Sequence, residues 1–123
     1  FYSSDEEIHN KLVGANAYEN TVDGIKNALA AGLSVSVNTP LCTDNRDYLN
    51  TLKFLNSLGV TYVTCSALIT TGNATKDPSV KLQLEVEELK KILKESVEYC
   101  NENKIEISFT SPGWIETEYC LYI

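Results

Sequence analysis

Apolar residues recur along this chain at two spacings. Tyr18, Val22, Ile25 and Leu29 stand three or four positions apart, as do Leu49, Leu52, Leu55 and Leu58, and later Val86, Leu89, Leu93, Val97 and Cys100; each set falls on one stripe of a helix. Elsewhere the spacing is two. Val35 and Val37 alternate with Ser34, Ser36 and Asn38, and Ile105, Ile107 and Phe109 alternate with Glu106, Ser108 and Thr110, the period of a strand with one apolar face. Between them Thr61 to Ser66 is rich in β-formers, with Tyr62 and Val63 its large residues, and predicts a further strand.

Local punctuation agrees with these elements. Gly32 suits the left-handed residue that ends the helix begun at Tyr18, and Gly59 does the same for the helix that starts near Leu49. Pro40 forbids a simple helical continuation after the strand Ser34 to Thr39, and Asp44 or Asn45 is expected to accept the first free N–H groups of the next helix. In the long helix expected from about Leu84 to Asn103, Glu85, Glu87 and Glu88 precede Lys90, Lys91 and Lys94, in keeping with the helix dipole. Ala67 to Ala74 is too long for a tight turn and leaves a strand end, where binding groups tend to sit. Phe1 to Ser4 reads as the last residues of a strand, followed by a polar loop, Asp5-Glu-Glu-Ile-His-Asn10, that ends near Gly14. Ser111-Pro-Gly113 closes the last strand, and Trp114 to Ile123 is an aromatic and apolar tail without a period.

Strands separated by helices of this length pair in parallel, so the expected class is α/β, with about three parallel strands and three helices in a single domain over residues 1–123, the segment 111–123 forming the tail. The second face of each strand is unusual. Strands covered by helices on both sides are near-continuous apolar runs. Here Ser34, Ser36 and Asn38, then Thr61 or Tyr62, Thr64 and Ser66, then Glu106, Ser108 and Thr110 are polar. Helices are therefore expected on one side only, the other lining a polar cavity or facing solvent.

Charge narrows the range of partners. Lys+Arg 10 against Asp+Glu 17 gives a net charge of -7, which repels phosphate backbones and anionic lipid heads, so no nucleic acid and no membrane partner is expected. No apolar run has the length of a membrane helix and the first residues form no signal sequence; a cytoplasmic protein is expected. Cys42, Cys65, Cys100 and Cys120 lie too far apart in sequence for a local metal knuckle, and buried free thiols are expected rather than disulfides or a metal site. His9, the one histidine, forms no recognisable nucleophile pair with a nearby Ser or Cys and is read as a hydrogen-bonding structural residue. Asn73-Ala-Thr75 fits a glycosylation triplet that carries no meaning in a cytoplasmic chain.

In order, the segment Phe1 to Gly14, the helix Tyr18 to Gly32, Val35-Ser-Val-Asn-Thr39 with Asn45 shortly after, Leu58-Gly-Val60 and the loop Gly72-Asn-Ala74 resemble the C-terminal half of the core barrel of radical S-adenosylmethionine (radical SAM) enzymes, over roughly residues 1–110. The resemblance implies a partial TIM-like (β/α) barrel whose polar lumen holds S-adenosylmethionine. It implies an oxidoreductase that cleaves this cofactor reductively at a [4Fe-4S] cluster, giving a 5′-deoxyadenosyl radical that abstracts hydrogen from an unknown small-molecule or peptide substrate. By the same resemblance Asn38 at a strand's C-terminal end and Leu68 in the loop after the next strand would contact the cofactor, with Thr70-Thr71 where the family often has proline.

The family's CxxxCxxC loop and glycine-glycine-glutamate strand end are not in these residues, and the chain has no methionine. It is therefore read as a fragment, inactive alone, with cofactor and cluster belonging to the intact parent. Cys120 stands where some peptide-modifying members begin a cysteine-rich extension. Open sheet edges on either side of such a fragment would favour a homodimer. The alternative is a small acidic α/β binding module with a polar ligand site at the C-terminal ends of its strands.

Overall fold

The alternating segments form one parallel sheet. In a computed structural model, which describes residues 1–67 and 86–110, the strands are β1 (Ser36–Leu41), β2 (Tyr62–Ala67) and β3 (Glu106–Thr110), in the order β1-β2-β3 with both pairs parallel. The helices are α1 (Glu6–Val13), α2 (Tyr18–Ala30), α3 (Tyr48–Leu58) and α4 (Val86–Glu102), with a 3-10 turn at Thr43–Asn45. The class is α/β, and three parallel strands with α3 and α4 as crossovers are consistent with part of a (β/α) barrel. Leu68 with the rest of its loop, Cys120 and the 114–123 tail lie outside the described residues.

The core lies on one side of the sheet. Val37 and Leu41 of β1, Val63 and Cys65 of β2, and Ile107 and Phe109 of β3 join Leu52 and Leu55 of α3 and Leu89, Leu93, Val97 and Cys100 of α4 in one buried cluster. Ile25, Leu29 and Val35 pack against its margin. Ser96 interrupts the apolar stripe of α4 yet is buried, because its hydroxyl donates to the Ile92 carbonyl at 2.7 Å.

Two helices end by the same device. At Gly32 (φ 78°) the amide donates to Leu29 O at 3.0 Å and that of Leu33 to Ala28 O at 3.1 Å; at Gly59 (φ 99°) the amide donates to Asn56 O and that of Val60 to Leu55 O. Each pair of bonds is a Schellman closure, which needs a left-handed residue between them. The end of α4 has Lys104 in that place, at φ 59°, with Ile105 N–H on Cys100 O at 2.9 Å.

Four expectations are corrected. Residues 5–10 are not a loop: Glu6 to Asn10 lie in α1, which makes four helices rather than three among the described residues. The helix rests on its caps, since Asp5 accepts from Ile8 N–H at 3.1 Å, Glu6 and Glu7 occupy the first turn, and Gly14 closes it at φ 80°. The first strand runs two residues later than Ser34 to Thr39, because Pro40 sits on the edge of the sheet, where its lack of an N–H costs no bond to β2. Neither Asp44 nor Asn45 caps α3, which starts after the 3-10 turn with Asp47 in the cap position, its carboxylate accepting from the Asn50 side chain and from no backbone N–H of the helix. The buried face of α3 is Tyr48, Thr51, Leu52 and Leu55, with Leu49 and Leu58 only half-buried, since leucines every third residue drift around a helix of 3.6 residues per turn.

Phe1 to Ser4 lies against the outer edge of β1 without being a strand. The Phe1 amino nitrogen donates to Asn38 O at 2.8 Å, the first rung of a parallel ladder. The next rung would use the N–H of residue 40, which proline does not have. Thr39 Oγ1 takes its place, donating to Phe1 O at 2.6 Å.

A left-handed residue with a β-carbon costs about 1 kcal/mol or more. Lys104→Gly is therefore expected to stabilise the fold by about 1 kcal/mol, read as a higher urea midpoint at unchanged slope.

Candidate functional site: the polar face of the sheet

With the apolar side chains committed to the core, the intervening ones form rows across the opposite face. Register aligns Ser36 with Tyr62 and Glu106, Asn38 with Thr64 and Ser108, and Pro40 with Ser66. Thr64 Oγ1 donates to Asn38 Oδ1 at 2.8 Å, and the Tyr62 hydroxyl lies 3.1 Å from Ser108 Oγ. These bonds cross neighbouring strands and hold the amide and hydroxyl groups in fixed order. Thr64's bond engages the Asn38 side-chain oxygen rather than its Nδ2 donors. Asn38 is exposed, the third residue of β1, so it stands in mid-strand and not at the C-terminal end where it was expected.

A hollow lies at the other end of the strands. A concavity of about 510 Å³ lies at the N-terminal ends of the strands, lined by Leu33, Ser36, Thr61, Tyr62, Lys104 and Glu106. The C-terminal edge, where the binding-module reading puts a ligand, continues into residues 68–85, outside the described set.

The thiols of the described residues do not converge on a metal. Among the described residues no group of three His, Cys, Asp or Glu side chains is placed to hold one, and Cys42, Cys65 and Cys100 are each buried and free. Burial pushes the Cys100 thiol up to about 11, and burial with Cys100 as neighbour pushes Cys65 up as well. The buried phenol of Tyr48 is raised for the same reason, with Cys65 and Cys100 adding to it, and its hydroxyl has no partner. Burial of this kind keeps Cys65 and Cys100 protonated, the opposite of cluster ligands.

Sequence periodicity gave no sign of a second set of polar residues. Thr39, Asn45 and Thr51 are almost fully buried, and each bonds the segment 1–4 or its surroundings. Asn45 accepts from Cys42 N–H at 2.7 Å through Oδ1 and donates through Nδ2 to both Tyr2 O and Pro40 O at 2.8 Å. Thr51 Oγ1 accepts from Ser4 N–H at 3.1 Å. His9, expected to be structural, is buried with Nδ1 accepting from Tyr2 N–H at 3.1 Å. Burial, with the Phe1 ammonium adding, holds its imidazole below the ordinary value.

No helix among the described residues is long and apolar enough to cross a membrane. Comparison with protein-family models, with curated proteins and with solved structures gives no match for this chain.

Asn45→Ala would leave the Cys42 N–H and two carbonyls without their partner in a buried setting. A loss of about 2–4 kcal/mol is expected in urea unfolding, since each such group costs about 1–3 kcal/mol. The thiols make stability depend on alkaline pH. Their folded values are raised, so above about 8.5 the unfolded chain gives up protons that the folded chain keeps, and stability falls as pH rises. Unfolding at about pH 9.5 should show about 1–3 kcal/mol less stability than at about pH 7.5, a difference removed in the Cys65→Ala, Cys100→Ala double variant.

Proposed function

We propose that this chain is part of the wall of a polar ligand chamber in a barrel of the radical SAM type, with the row Asn38, Thr64 and Ser108 facing the ligand. The observation that supports this reading is the one-sided sheet: a parallel three-stranded sheet covered by helices on its apolar face, with a bonded ladder of amide and hydroxyl groups on the other. Such a face has no structural use in a sheet packed on both sides. It suits a ligand with many hydrogen-bonding groups, as S-adenosylmethionine has in its ribose, adenine and amino-acid parts.

The residues fit the two cofactors of that family unequally. Asn38, with its carbonyl oxygen held by Thr64, would present its two Nδ2 hydrogens to acceptor atoms of the bound nucleoside. The hydrogen-abstracting chemistry is the cofactor's own, and the wall orients it. The [4Fe-4S] cluster finds no ligand set among the described residues, so its cysteines would have to come from another part of the parent protein. This chain alone is expected to be inactive.

The second reading, a small acidic binding module, draws on the same polar face together with the net charge of -7. The coding sequence upstream of Phe1 separates the two. A CxxxCxxC motif there supports the barrel, and an unrelated sequence supports the module.

In the full-length parent, Asn38→Ala is expected to weaken S-adenosylmethionine binding about 5- to 150-fold, the equivalent of about 1–3 kcal/mol. Titration calorimetry showing unchanged affinity in a variant with native circular dichroism would remove Asn38 from the site.

A further inference from the structure

Five backbone polar groups of residues 1–4 are met by side chains from the body of the fold. Thr39 Oγ1 donates to Phe1 O at 2.6 Å, Asn45 Nδ2 to Tyr2 O at 2.8 Å, and the Tyr18 hydroxyl to Ser4 O at 3.0 Å. Thr51 Oγ1 accepts from Ser4 N–H, and His9 Nδ1 from Tyr2 N–H, both at 3.1 Å. The Phe1 ring lies 5.0 Å from the His9 ring and 6.1 Å from that of Phe54. Four of these five side chains keep one protonation state through the neutral and mildly acidic range. The fifth is histidine.

An imidazole that accepts at Nδ1 carries its proton on Nε2, and here Nε2 is buried without a partner. A second proton can go only to Nδ1, where it would meet the Tyr2 N–H across 3.1 Å. Two donors would then face each other, and a charge would stand in a site 2% exposed. We infer that residues 1–4 are a strap latched by neutral His9, and that protonation of His9 undocks the strap and bares the outer edge of β1.

The groups facing His9 leave this logic intact. The Phe1 amino group is the charge that acts on it, and as a like charge it opposes protonation. Tyr2 and Tyr18 contribute phenols at ring distances of 6.2 and 5.8 Å. Burial raises the Tyr18 hydroxyl above its ordinary value, and Glu6 and Asp5 at the start of α1 add to it. Thr51 and Phe54 of α3 and Asn38 and Thr39 of β1 meet residues 1–4 themselves, and none of them titrates. Because His9 is held below its ordinary value, docking is at full strength above about 6.5 and weakens as pH falls below it.

The test is amide hydrogen exchange at Tyr2, with Leu55 in α3 as the internal reference, followed with the His9 ring nitrogen shifts on the 123-residue chain from about pH 7.5 to about 5. Tyr2 protection should fall about tenfold or more, with the midpoint of Nδ1 protonation, while Leu55 stays protected. Constant Tyr2 protection while Nδ1 protonates would overturn the inference, as would an Nδ1 that takes no proton in this range or a parallel loss at Leu55. His9→Gln keeps an acceptor without a titration, so its Tyr2 protection should persist in acid; a loss equal to that of the wild type counts against the latch. Should that variant not fold, the agreement or disagreement of the two wild-type midpoints decides.

Discussion

Val63, Cys65, Ile107 and Phe109 project from the sheet into a core shared with α3 and α4, and the residues between them in sequence are polar. A strand has only two faces, so this alternation permits one apolar layer and no second. The rest of the molecule follows from that limit. Among the described residues the crossovers α3 and α4 pack on one side, and a ladder of amide and hydroxyl groups is left on the other with regular spacing. What makes the open face a candidate site is therefore the same pattern that makes the core.

The one-sided core also has to close at its margin. At the edge of β1 the apolar layer meets the segment 1–4, and there the fold relies on buried polar groups rather than on more hydrocarbon. Asn45 joins three backbone groups from two stretches of chain, and Thr39, Thr51, Tyr18 and His9 each meet one backbone group of the segment. Buried hydrogen bonds of this kind add modestly when made and cost more when one partner is lost. They fix geometry where dispersion alone would allow sliding.

This division explains what the sequence revealed. The strands, the stripe of α4, the glycine ends of α2 and α3, and the polar face were legible because each follows a period or a local backbone rule. Helix α1 was not, since only His9 among its residues is buried and its evidence lies in caps rather than periodicity. The roles of Thr39, Asn45 and Thr51 were hidden for another reason. Their partners lie far away in sequence, and nothing local distinguishes a polar residue that will be buried from one that will be solvated. Asn38 was placed on the correct face but at the wrong height, because the strand was ended before Pro40 when it continues to Leu41.

Pro40 has a wider consequence. The bond from Phe1 to Asn38 O shows that the even-numbered residues of β1 turn their backbone groups outward, and at position 40 the donor is absent and the acceptor is already held by Asn45. Any extended segment laid alongside this edge can form backbone rungs only as far as residue 38. The edge thus works as a ruler that lets a neighbouring strand register over a fixed length and then stops it. Sheet growth in that direction, whether by an incoming chain or by a fibril, meets a terminator written in a single residue.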